Sequence, residues 1–218
     1  MSDGTAQPAT DSPAASSGDA PTVRRRRRNP EQTRRAIIDA LLTAIKDGKF
    51  LPTAKDIAER AGVSERSIFV HFPGRDDLRI AAVEAQSEYV ETLIAAPDPQ
   101  LPLDARIDAV IAQSEAIFAA QRNPRLLGLL ESQSIPVLDE RMRTTDGRTR
   151  DGLARTFATE LHRDGSTDTE LLDLIEATAG WAYRHQLVDR RGLTQQAASR
   201  AIARALRVLL AGKDSGAA

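Results

Sequence analysis

The sequence predicts an all-α protein, a short N-terminal helical unit followed by a larger helical body. Apolar residues recur at three- and four-residue spacing in one segment after another, and no segment shows the sustained alternation of a strand. Helix caps and breakers fall between the apolar runs. No repeat at a fixed period is present.

At 218 residues with 41% hydrophobic content, the chain is long enough to bury a sizeable core. Its apolar runs are short against the roughly 20 residues needed to cross a bilayer, so no membrane span is expected. Charges follow the arginine run at 24–28 too closely for an export signal, and a cytoplasmic protein is expected. Zero cysteines exclude disulfides, thiolate zinc sites and cysteine nucleophiles together.

Residues 1–23 are mostly small and polar, so they cannot bury enough area to offset chain entropy, and 1–28 reads as a disordered arm. Its five consecutive arginines at 24–28 suit a nucleic-acid contact. Asn29-Pro30-Glu31-Gln32 starts the first helix: Asn29 caps, Pro30 fits the first position, and Gln32 completes a capping box. Ile37, Ile38, Leu41, Leu42 and Ile45 form its stripe, which runs to about Lys46 before Gly48 and Pro52. Thr53 and Asp56 open a second, short helix with Ile57, Ala58 and Ala61 buried. Gly62 suits a left-handed C-terminal cap, and Ser64 caps a third helix two residues later.

Pro73-Gly74 stops that helix, and Asp76 and Asp77 suit the positive end of a fourth, carrying Leu78, Ala82, Ala85, Tyr89 and Leu93. Beyond a linker at 96–102, Leu103 to Phe118 keep the helical period. Asn123-Pro124 reads as a loop before a short apolar helix from Leu126 to Leu130. An arginine-rich helix is expected near 136–163, then a loop at 163–166. Thr167-x-x-Glu170 is expected to cap a helix with Leu171, Ile175, Thr178 and Ala182 on one face. After a loop at 189–192, Thr194 starts the last helix, whose stripe holds Ala198, Ala201, Ile202, Ala205, Leu206 and Leu209.

The net charge of -1 conceals a segregation: residues 24–78 carry 13 basic and 8 acidic groups, whereas 79–218 carry 17 and 20. The local field is what attracts phosphates within a Debye length, about 10 Å at 0.1 M salt. Two short helices meeting at a tight glycine-containing turn inside this basic segment form a helix-turn-helix pattern, whose second helix enters the major groove. On that helix Ile68 and Phe72, four apart, are expected to face inward. Glu65, Arg66, Ser67, Val70 and His71 are left outside. Arg66 suits a bidentate contact to guanine, Ser67 a base or phosphate, and Val70 a thymine methyl. Thr53, Lys55, Ser64 and Arg75 sit where helix starts meet phosphates. His71 has no partner in the segment to make it an acid-base catalyst, and it reads as a packing and hydrogen-bonding residue beside DNA.

The run TAKDIAERAGVSERSIFVHFPGRDDLRIAAV resembles the N-terminal DNA-binding segment of the TetR family of transcriptional regulators, over about 47 residues from Gln32 to Leu78. Thr53, Ile57-Ala58, Ala61-Gly62-Val63-Ser64, Ile68, Phe69, His71-Phe72-Pro73, Arg75 and Leu78 carry the likeness. The family usually has tyrosine where this chain has Phe69, and in similar proteins that hydroxyl reaches a phosphate. Phe69 keeps the packing and loses the bond, so a weaker positional contact is expected. The resemblance implies three parts: the arm at 1–28, a DNA-binding domain at 29–78, and an effector-binding and dimerisation domain at 79–218. It also implies a repressor that leaves its operator when a small molecule binds.

Tyr89, Phe118, Phe157, Trp181, Tyr183 and His185 are the candidate effector-lining residues, in a pocket expected among the fourth to eighth helices. The alanine-rich stripes of the final two helices suit a four-helix interface between two copies, and a homodimer is expected because two-fold proteins commonly read two half-sites. No cofactor, metal site or catalytic set is expected. His162-Arg163-Asp164 imitates a kinase tripeptide without the following asparagine, and Gly147 and Gly152 have P-loop spacing with Leu153-Ala154 where Lys and Ser/Thr belong. The histidines at 71, 162 and 185 are too scattered for a metal. Two rivals stay open: an enzyme built in the helical body, tested by an activity screen, and a helical module whose arginines bind RNA or acidic partners. Competition of duplex DNA against RNA separates the latter.

Overall fold

The computed structural model describes residues 29–74, 76–163 and 165–211. The chain is all-α, as the periodicity predicts. In order it forms α1 (Pro30–Lys46), α2 (Ala54–Ala61), α3 (Glu65–His71), α4 (Asp77–Leu93), α5 (Leu103–Glu131), α6 (Pro136–Thr156) and α7 (Ala158–Leu161). There follow α8 (Thr169–Ala179), α9 (Trp181–His185), a π-helical turn (Gln186–Arg190) and α10 (Gln195–Leu210). Between α7 and α8 lies a minimal antiparallel pair, β1 (His162–Arg163) and β2 (Ser166–Thr167), with His162 opposite Thr167. Among the described residues no helix is long and apolar enough to cross a membrane.

The first three helices form as their caps dictate. Asn29 accepts from the amide of Glu31 at 3.2 Å, one position before the Gln32 partner expected of a capping box. At α2 the reciprocal box is complete: Asp56 N donates to Thr53 Oγ1 at 3.2 Å and Thr53 N to Asp56 Oδ2 at 2.8 Å. Gly62, at φ 65°, takes the left-handed conformation that lets α2 stop and α3 begin after Ser64.

Five features differ from the sequence expectation. Asn123 and Pro124 do not break the chain; they lie inside the long α5, and the expected 126–130 helix is its last stretch. The arginine-rich helix ends at Thr156 rather than near 163, because the buried Phe157 turns the backbone into α7 and the β pair. The N-cap of α8 is Asp168, whose carboxylate accepts from Leu171 N at 2.9 Å, so Thr167 belongs to β2. Ala182 falls in α9, beyond the break at Gly180, and Asp189 and Arg190 belong to the π-helical turn rather than a loop.

Among the described residues two apolar cores result. The head core joins Ile37, Leu41 and Ile45 of α1 to Ile57 and Ala58 of α2 and to Ile68 and Phe72 around α3. It continues past Leu78 into Ala81 and Ala82 of α4 and reaches Leu127 of α5. The body core gathers Ile107 and Val110 of α5, Leu153 and Phe157 at the end of α6, Leu171 and Ile175 of α8, and Ile202 and Leu206 of α10. Arg106 spans the base of the body: its guanidinium donates to Leu101 O, Thr156 O and both oxygens of Glu160 at 2.6 to 2.9 Å. These hydrogen bonds lead the influences that hold the Glu160 carboxyl below its ordinary range, against the opposing pull of burial.

Candidate nucleic-acid interface

Seven residues of α3 rise about 10 Å along one axis, enough to reach a few base pairs. Ile68 and Phe72 are buried at 5% and 3% exposure and anchor the helix to the head core. The guanidinium of Arg34, on α1, lies 4.4 Å from the Phe72 ring centroid and makes a long 3.5 Å contact to His71 O, bracing the C-terminal end of α3. Sequence reasoning did not single out Arg34. Its signal is only its place one turn after the α1 start, with the ring it covers 38 residues further on.

The outward face carries Glu65, Arg66, Phe69 and Val70, all exposed. Phe69 and Val70 are 62% and 68% exposed, so the packing expected of Phe69 is not made within this chain. An exposed aromatic beside an exposed valine has no role in the head's own core and is free to meet a base or sugar edge. Arg66 has no ion pair among the described residues, which leaves its fork of donors available. Ser67 is half-buried and its hydroxyl lies 2.9 Å from Ser64 Oγ, so these two residues hold each other at the helix start. His71 is half-buried.

Around this helix, Lys55 is largely exposed and lies 4.0 Å from Glu59, a distance at which an exposed pair constrains little. Thr53 is occupied by the capping box. Lys49 is 2.7 Å from Asp56, and its hydrogen bond, with those from Thr53, holds the Asp56 carboxyl far below the usual carboxylate range. Lys49 is therefore fixed beside α2 rather than free. Leu51, in the α1–α2 loop, is 78% exposed. Arg75 and the arginine run at 24–28 lie outside the described residues.

Of the six expected effector-lining residues, Phe118, Trp181 and His185 come together, with the Trp181 ring 6.3 Å from Phe118 and stacked on His185. Phe118 and Phe157 are core residues at 1% and 0% exposure, while Tyr89 and Tyr183 lie on the surface. Trp181 stacks on His185 with ring centroids 4.6 Å apart and borders a cavity of about 80 Å³ between α5, α6 and α8. A larger cavity, of about 260 Å³, lies elsewhere, where the head core meets α4, α5 and α6; none of the six lines it. Among the described residues no cluster of His, Asp or Glu could hold a metal ion.

Comparison with known proteins agrees with this arrangement. Residues 37–82 match the family described as bacterial regulatory proteins, tetR family. No curated protein matches the chain. Among solved structures, a protein from Mesorhizobium loti MAFF303099, provisionally described as a TetR-family transcriptional regulator, superposes with a TM-score of 0.63 at 13% identity. The match covers 84% of this chain and 97% of that one. A provisionally described transcriptional regulator from Pseudomonas aeruginosa PAO1 gives 0.61 at 22% identity, over 88% and 96% of the two chains. A multidrug binding protein, EbrR, solved with imidazole, gives 0.54 at 19% identity, over 79% and 93%. Residues 37–82 thus match the tetR family of bacterial regulatory proteins, within a chain that shares the fold of solved structures described as TetR-family transcriptional regulators.

Proposed function

We propose that the chain is a sequence-specific repressor that acts as a homodimer, holding two α3 helices over a two-fold operator and leaving it when a small-molecule effector binds. The outer face of α3 carries this reading: Arg66, Phe69 and Val70 are exposed and unengaged while Ile68 and Phe72 fix the helix from behind. Arg66 reads a guanine and Val70 a thymine methyl; Lys55, Ser64 and the α2 and α3 starts position the phosphates, with Thr53 holding the start of α2 through its capping box.

Dimerisation is supported by the outward faces of α8 and α10. Ala198, Ile202 and Leu206 of the α10 stripe are consumed within the subunit, but Leu174 and Val208 are 49% and 70% exposed, with Ala201 and Ala205 half-buried beside them. Two copies meeting there form a four-helix interface and place two heads on one operator. The likeness to a multidrug-binding protein supports a small-molecule effector. Release requires the effector to prefer the head arrangement that does not fit DNA, since equal affinity for both arrangements shifts no population.

Mapping bound sites across the genome, with transcript levels measured with and without the protein, tests this. Occupied sites beside genes whose transcripts rise on removal of the protein are expected. Falling transcripts would make it an activator, and an absence of duplex sites would overturn the reading.

A further inference from the structure

The 260 Å³ cavity at the head–body junction is bounded on one side by Leu41, Ile57 and Ile68 of the head and on the other by α4, α5 and α6. Its size approaches the lower end of small-molecule sites, roughly 300 to 1,000 Å³, and its walls are mainly aliphatic, Phe50 being the one aromatic residue that lines it. Two buried polar atoms on these walls lack partners: Gln86 Oε1 and Arg125 Nε.

Pro124 explains the first. A proline has no N–H, so the carbonyl of Ala120, four residues earlier, receives no helical hydrogen bond. Gln86 Nε2 supplies one from α4 at 3.3 Å. That bond fixes which way the amide of Gln86 points, and leaves its Oε1 as an acceptor without a donor at 7% residue exposure. An unmet buried acceptor is destabilising, because it gives up water without gaining a partner. Arg125, from the next turn of α5, has its charge met by Asp146 at 2.5 Å, while its Nε–H faces no acceptor.

We infer that this junction cavity binds the effector, a neutral, mainly aliphatic molecule whose carbonyl accepts from Arg125 and whose adjacent N–H or O–H donates to Gln86, as in an aliphatic amide. A neutral ligand fits because Asp146 already balances Arg125, so a carboxylate would bring an uncompensated charge into an apolar site. The inference rests on the proposed effector-released regulator and gives it a location. A molecule in this cavity touches Ile68, the inward residue of the reading helix, and α4 and α6 together. It thereby fixes the head on the body directly, without a relay through the distant body core.

The test is calorimetric titration of the full-length protein with octanamide, methyl octanoate and octanoate. Octanamide is expected to bind roughly five to ten times more tightly than methyl octanoate, which lacks the donor, and octanoate most weakly. Gln86→Leu should bring the amide and ester to equal affinity. Filling the space with Ala82→Leu, or with Val83→Phe should the first not melt cooperatively, should weaken all three at least tenfold. Equal affinities in the wild type, no binding of any probe, or undiminished binding to the filled variants would each overturn the assignment. Retention on operator duplex is read alongside: octanamide that binds in the cavity yet leaves retention unchanged sinks the release reading and spares the site. Release that survives cavity filling does the reverse.

Discussion

In the proposed function, Arg66 and Phe69 contribute separately to DNA binding. Replacement of Arg66 by alanine is expected to cost about 1 to 3 kcal/mol on the preferred duplex and to relax preference at one position per half-site, as measured by titration against single-base operator variants. An unchanged preference removes Arg66 from the readers. At Phe69, 62% exposed, a hydroxyl costs nothing in packing, so Phe69→Tyr is expected to bind duplex at least as tightly, by up to about 1.5 kcal/mol if the hydroxyl reaches a phosphate. Weaker binding would contradict its outward placement. The inward residues Ile68 and Phe72 were legible because four-residue spacing fixes a helix face. The engagement of Ser67 by Ser64 and the bracing by Arg34 were not, since each depends on a rotamer or on a contact across the head.

At the scale of elements, α4 carries the connection between head and body. Glu91 near its end accepts from Arg141 at 2.7 Å and Thr145 at 3.1 Å and pairs with Arg148, while Arg141 also holds Glu84 at 2.8 Å. Burial alone would raise the Glu91 carboxyl, but these hydrogen bonds and arginine charges outweigh it and hold it below its ordinary 4.5. A depressed carboxyl contributes stability that is present above the unfolded value and disappears as pH falls through the folded one. Glu91→Gln is therefore expected to melt lower at neutral pH, by about 0.5 to 1 kcal/mol for screened pairs, and the gap to wild type should close as pH drops below 4.5. A gap that persists in acid would show that Glu91 acts through packing. The Asn123-Pro124 pair is where the local rule misled: proline usually ends a helix, but here Gln86 answers the carbonyl it frees, and α5 runs on. A trace of this existed in the sequence, since Gln86 falls four residues from both Ala82 and Val90 on the buried stripe of α4. Polar residues on such a stripe ask what they bond.

For the whole molecule, charge segregation and caps were enough to place the head, because it is built from short helices with local punctuation. The body was legible as helices and little more. The junction cavity forms where α4, α5 and α6 meet the head, from residues far apart in sequence, and aromatic content pointed instead to Phe118 and Phe157, which are core. The proposed dimerisation likewise rests on what α8 and α10 leave uncovered. The wild-type chain is expected to show twice its monomer mass at micromolar concentration by light scattering, and Val208→Lys to shift it toward the monomer with at least a tenfold loss of operator affinity. A monomeric wild type that still binds specifically would contradict the two-headed arrangement.

The proposed function stands on α3 reading duplex DNA. Selection of a random duplex library by the full-length protein, with the retained sequences read out, tests it most directly. The expected result is enrichment of two inverted half-sites spaced about one helical turn apart. Retention of duplexes without any common sequence, or displacement of them by an equal amount of single-stranded RNA, would contradict it.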